Sequence, residues 1–70
     1  MRYAIVIEKA ANNFSAYVPD LPGCIATGSS VEEVEQEIKE AITFHLDGMR
    51  EDGITPPAPK SRVEYVEVAA

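Results

Sequence analysis

The sequence predicts an α+β domain: a three-stranded antiparallel meander, one long helix, and a fourth strand returning parallel to the first. Three observations predict it. Short runs of β-branched and aromatic residues alternate with turn signals through residues 1–30. Residues 31–52 then carry apolar side chains at helical spacing behind a good N-cap. Beyond a proline-rich connector, residues 63–68 again read as a strand.

The first strand is Tyr3-Ala4-Ile5-Val6-Ile7, which ends at the polar cluster Glu8 to Asn13. Asn12 and Asn13 tolerate turn geometry, so Phe14-Ser15-Ala16-Tyr17-Val18 follows as the second arm of a hairpin. Phe14, Ala16 and Val18 share one face of it, Ser15 and Tyr17 the other. Pro19 and Pro22 stop that strand, and Gly23 releases the chain into Cys24-Ile25-Ala26-Thr27. Ser30 with Glu33 three residues on forms a capping box, and Gly53 is a natural helix stop. Between them Val31, Val34, Ile38, Ala41, Ile42, His45, Leu46 and Met49 fall in one apolar arc. Pro56, Pro57 and Pro59 make an extended connector to Val63-Glu64-Tyr65-Val66-Glu67-Val68. A right-handed crossover gives the sheet order 3-2-1-4. The first strand is then central, which suits its two apolar faces: Tyr3, Ile5 and Ile7 on one, Ala4 and Val6 on the other. The sheet face away from the helix is left bare and needs a partner.

Seventy residues make a single domain, residues 1–70. A chain this short buries only about 60% of its unfolded surface, so self-association is expected to supplement the core. The net charge of −6 opposes direct binding to nucleic acid or an anionic membrane. All of it lies in residues 31–52, where eight acids face Lys39 and Arg50; the segments on either side are neutral. The longest apolar stretch, Tyr3 to Ile7, is too short to span a bilayer and no export signal is visible. One cysteine, Cys24, allows no internal disulfide. A cytoplasmic location is expected, with Cys24 a buried, inert thiol.

Little here points to catalysis. His45 is the only histidine and lies in the apolar arc, and no phosphate-cradling glycine pattern occurs. No cofactor and no metal site are expected. The one enzymatic alternative is a residual metal-dependent nuclease, with Glu8, a helix acid, and Glu64 or Glu67 converging around divalent ions. That needs three or four carboxylates at one end of the sheet, whereas the helix acids mostly point away from it. A purely self-associating scaffold or small-ligand binder is a further alternative.

The acidic helix carries the more specific signal. Glu33, Glu37, Glu40, Phe44, Asp47 and Glu51 are spaced 4, 3, 4, 3, 4 and form one stripe opposite the apolar arc. Early acids suit the positive end of the helix dipole, and Glu35 with Lys39 makes an i,i+4 pair. Neither explains Phe44, nor Asp47, Glu51 and Asp52 near the C-terminal end. An aromatic ringed by carboxylates has the form of an interface anchor with a charged rim, so these six residues are the candidate partner-binding surface.

The order of these pieces resembles a known family. A first strand Tyr3 to Glu8, then Phe14-Ser15-Ala16-Tyr17-Val18-Pro19-Asp20-Leu21-Pro22-Gly23-Cys24, Gly28, the cap Ser30, Glu32-Glu33, Ala41-Ile42 and Gly53 with its prolines look like the short members of the HicB-type antitoxins. The likeness runs over about residues 3 to 68. It implies a partial, degenerate ribonuclease-H-like fold and no enzymatic activity. It also implies a protein that neutralises a HicA-type mRNA interferase toxin by complex formation, masking the toxin's active site. Dimers or tetramers are the implied assemblies. Many relatives carry a C-terminal DNA-binding domain; none is expected here, nor direct contact with nucleic acid. The Pro19 to Cys24 turn either ends one strand and begins the next, or touches the toxin.

Overall fold

A computed structural model describes all residues 1–70. Its elements are β1 (Val6–Lys9), β2 (Phe14–Tyr17), β3 (Ile25–Gly28) and α1 (Val31–Glu51). The three strands form one antiparallel sheet in the order β1-β2-β3. β1 lies further along the chain than the expected Tyr3–Ile7, because Glu8 and Lys9 pair with Ser15 and Phe14 before the turn.

Three bonds outside the ladders show which backbone groups the sheet uses. Ala10 N–H donates to Asn13 C=O (2.8 Å) to close the hairpin, and Val18 N–H donates to Cys24 C=O (3.2 Å). Hydrogen-bonded pairs alternate along an antiparallel ladder. Glu8–Ser15 and Val6–Tyr17 are therefore the bonded pairs between β1 and β2. The N–H and C=O groups of Ile7 and Lys9 point instead to the outer edge. The third bond, Leu21 N–H to Val18 C=O (3.1 Å), folds the Pro19–Gly23 turn back on the strand it ends.

α1 is capped as the sequence predicts at both ends, with one change. The Ser30 hydroxyl accepts from Glu33 N–H at 3.1 Å, but the Glu33 carboxylate accepts from the Ser29 hydroxyl (2.7 Å) instead of closing the box. At the far end Gly53 takes φ +71°. Gly53 N–H then bonds Arg50 C=O and Ile54 N–H bonds Met49 C=O, a Schellman motif that satisfies two orphan carbonyls.

The helix packs over β3 and β2. The core is one cluster of Ala16, Val18, Leu21, Cys24, Val34, Ile38 and Leu46, with Tyr3, Ile5, Ile7, Phe14, Ala26, Ala41, Ile42 and Met49 at its margin. The apolar arc thus faces the sheet, apart from Val31 at its start, which is exposed. His45 is half-buried beside it. Cys24 is buried, and burial pushes its thiol pKa up, away from reactivity.

The fourth strand is where the architecture departs from expectation. Residues 54–70 contain no helix or strand, so the order 3-2-1 is realised without its fourth member and β1 is an edge, not a central strand. The cause is where the segment is held. Asp20, in the turn after β2, accepts the Ser61 hydroxyl (2.7 Å), Ser61 N–H (2.8 Å) and Lys60 N–H (2.8 Å). The Tyr3 hydroxyl also donates to Pro57 C=O. These contacts anchor the connector, and beyond Ser61 the segment runs beside residues 2–7 without pairing with them.

The clamp gives a pH signature. The Ser61 hydroxyl, then the Ser61 and Lys60 amides, bond the charged carboxylate and hold Asp20 below its ordinary value of 3.8. A carboxylate lowered on folding contributes its stabilisation above the unfolded value and loses it as pH falls through the folded one. The amide proton shifts of Lys60 and Ser61 are expected to titrate together below pH 3.8. In Asp20→Asn both amides should already have moved at neutral pH. Shifts indifferent to both changes would mean that Asp20 does not hold the segment.

Candidate functional site

α1 turns its inner arc to the sheet and leaves the opposite face to solvent. All six residues of the predicted stripe, Glu33, Glu37, Glu40, Phe44, Asp47 and Glu51, are exposed. Phe44 is 82% exposed, on the same helix as Ile38 at 1%. The periodicity therefore separates the faces as expected. A shallow groove beside the Phe44 ring is lined by Gln36, Lys39, Glu40, Thr43 and Asp47.

Local bonds shape the stripe. Gln36 Nε2 donates to Glu40 Oε2 at 3.0 Å, and Arg50 reaches Asp47 at 3.3 Å. The latter pair offsets the unfavourable placement of an acid near the helix C-terminus, although an exposed pair contributes little stability. The i,i+4 pair expected of Glu35 and Lys39 is not formed; besides Arg50–Asp47, the ion pair present is Arg62–Glu64. Glu33 is engaged by Ser29, whereas Glu37 and Glu51 have no side-chain hydrogen bond. The result is an aromatic platform within a field of carboxylates, able to offer an apolar contact and accept from cationic donors.

A second surface lies on the opposite side of the domain. The register sets Val6 against Tyr17 and Tyr17 against Ile25, a row across the sheet face away from α1. Tyr17 and Ile25 are exposed there, at 41% and 69%. This is the bare face the sequence anticipates.

The carboxylates do not assemble into a metal centre: no group of three or more His, Cys, Asp or Glu side chains is placed to hold an ion. Glu8 is exposed at one end of β1, and Glu64 and Glu67 lie in the free segment. The convergence required by the nuclease alternative is absent from this arrangement. No helix is long and apolar enough to cross a membrane. The residue that sequence reasoning missed is Asp20, because its partners lie forty residues downstream and only the composition of a turn marks it.

Comparison with known proteins identifies the family of the chain and a solved structure of similar fold. Residues 3–69 match the family model described as HicB-like antitoxin of bacterial toxin–antitoxin systems. The chain is 39% identical over 66 residues to an uncharacterized 14.9 kDa protein from the rep-hol intergenic region of Haemophilus phage HP1, covering 94% of this chain and 50% of that protein. It therefore spans about half the length of that relative. A UPF0150 protein of Helicobacter pylori is 41% identical over 58 residues, covering 83% of this chain and 81% of its own. Among solved structures, a chain of the HicA3 and HicB3 toxin-antitoxin complex superimposes with a TM-score of 0.73 at 30% identity, over 84% of this chain and 70% of that one.

Proposed function

Since this chain belongs to the HicB-like antitoxin family, we propose that it neutralises a HicA-type toxin by forming a complex that masks the toxin's active site. The observation that carries this reading is the likeness, at 30% identity, to a chain from a toxin–antitoxin complex. The physical chemistry supports it. A toxin that cleaves mRNA must attract phosphate and is expected to be basic. A partner with a net charge of −6 would be steered to it and would compete with RNA for the same cations. No catalysis is required of this chain in such a role, and no cofactor.

The contact surface we propose is the stripe of Glu33, Glu37, Glu40, Phe44, Asp47 and Glu51, with Phe44 as the buried anchor of the complex and the acids as its rim. The same reading includes a cytoplasmic location, a homo-oligomer, and a degenerate ribonuclease-H-like sheet completed by a fourth strand. Co-expression with the adjacent short open reading frame tests the role: the neighbour alone should arrest growth, and this chain should restore it through a stable complex.

The surface is tested separately. Phe44→Ala with Glu40→Lys should weaken toxin binding about 30-fold, the loss typical of an interface anchor worth about 2 kcal/mol. The melting curve should stay close to the parent, because both side chains are exposed. Affinity unchanged in calorimetric titration would move the contact to the Val6, Tyr17 and Ile25 face or to the sheet edges.

A further inference from the structure

We infer that residues 63–68 complete the sheet of a second copy of this chain, entering the cleft beside its β1. This deepens the self-association named above by assigning the segment and the edge that make it. Three features of the molecule argue for it.

First, the segment is a strand without a ladder. Val63, Glu64, Tyr65, Val66, Glu67 and Val68 have strong β propensity. Tyr65, Val66 and Val68 are nevertheless 95%, 81% and 75% exposed. Apolar side chains in such a run are costly to leave in water. The radius of gyration, 13.7 Å, exceeds the roughly 11 Å of a compact chain of this length, as a projecting segment requires.

Second, the receiving edge is open and continues into an apolar groove. The backbone groups of Ile7 and Lys9 point away from β2 and have no ladder partner. Alongside, Tyr3 and Ile5 with Ile38, Ile42 and Leu46 of α1 line an open groove of about 420 Å³. A strand laid on the β1 edge would drop alternate side chains toward that groove. Residues 2–9 along this edge carry Arg2, Glu8 and Lys9, a small positive excess, whereas residues 63–68 carry only the anionic Glu64 and Glu67.

Third, the chain's own segment does not fill the edge. Arg2, Tyr3 and Ala4 form one wall of a cleft whose other wall is Ser61 to Glu64. Further along, Ile5, Val6 and Ile7 face Val63 and Tyr65. Residues 2–7 line one side consecutively, as residues 61–64 line the other, so the gap lies between two backbone edges, not above one face. The Asp20 clamp and the Tyr3–Pro57 bond set the base of the segment across that gap from its own strand. A second copy's segment, entering under two-fold symmetry, would bond β1 on one side and the resident segment on the other. The sheet then runs 3-2-1 through both exchanged segments into 1-2-3 of the partner. The resident segment runs in the direction of its own β1, so the incoming one is antiparallel to β1.

Sedimentation of the full chain at several concentrations should give twice the 7.6 kDa monomer mass. Val66→Pro, and separately Val68→Pro, should give monomers with unchanged helical circular dichroism, because neither residue is bonded within the chain. In a mixture of labelled and unlabelled chains, intermolecular proton contacts should connect residues 63–68 with Ile7 and Lys9 in antiparallel order. A monomer at all concentrations overturns both the exchange and the homo-oligomer. A dimer indifferent to both prolines overturns the exchange and leaves self-association standing. Contacts found only within one chain, or formed only when a toxin is added, overturn the exchange as well.

Discussion

Alanine at position 28 is expected to destabilise the domain by about 1–3 kcal/mol, the usual range for forcing a methyl group into packed structure. Gly28 closes β3 opposite Phe14 and is buried where α1 begins. A Cβ there would come within 2.7 Å of Val34 N, 3.0 Å of Val34 Cα and 3.1 Å of the Glu33 carbonyl carbon. All three are backbone atoms, so no rotamer change relieves the contact; the helix must move off the strand. Gly48, within the helix, has nothing within 4 Å of its would-be Cβ. Gly48→Ala should therefore stabilise, by up to about 1 kcal/mol from helix propensity alone. Urea midpoints of the two variants should move in opposite directions. Midpoints moving together would show that the helix does not rest on Gly28 as described.

The second large effect is expected at Ile38. Its side chain is 1% exposed at the centre of the core cluster. Truncation to alanine should cost about 2–5 kcal/mol. A domain of 70 residues has roughly 4–10 kcal/mol in total, so Ile38→Ala should be partly or wholly unfolded at 37 °C. Ile42→Ala, at the core margin, should cost less, and Phe44→Ala almost nothing. Thermal melts of the three variants test the orientation of the helix. A cost at Phe44 matching that at Ile38 would mean the outer stripe is packed, and it could not then serve as a free contact surface.

What was legible in the sequence was what neighbours decide. Ser30, Glu33 and Gly53 mark the ends of α1 because capping involves residues within one turn. The 3.6-residue repeat separates Ile38 from Phe44 without reference to the rest of the chain. Asn12 and Asn13 likewise place the hairpin. The strand identity of Val63–Val68 was also read from local propensity, but whether a strand forms depends on which edge the segment reaches. Asp20 decides that through bonds across forty residues, and nothing in the local pattern of Lys60 or Ser61 announces them. For the site, periodicity picked out Phe44 and its flanking acids. It could not show that Glu35 and Lys39 would decline their i,i+4 pairing.

The Asp20 clamp also orders events in time. Contacts between neighbours in sequence close cheaply, whereas joining Asp20 to Ser61 closes a loop over most of the chain. The hairpin, the turn at Leu21 and the helix can all form before it, because the bonds that close them involve no residue beyond Ile54. The clamp should therefore be among the last contacts made and the first released, with the connector after Gly53 opening as a separate low-energy unit while the core stays closed. The clamp is retained in the exchanged arrangement, so its opening would free the base of the segment and let the copies part without global unfolding of either core.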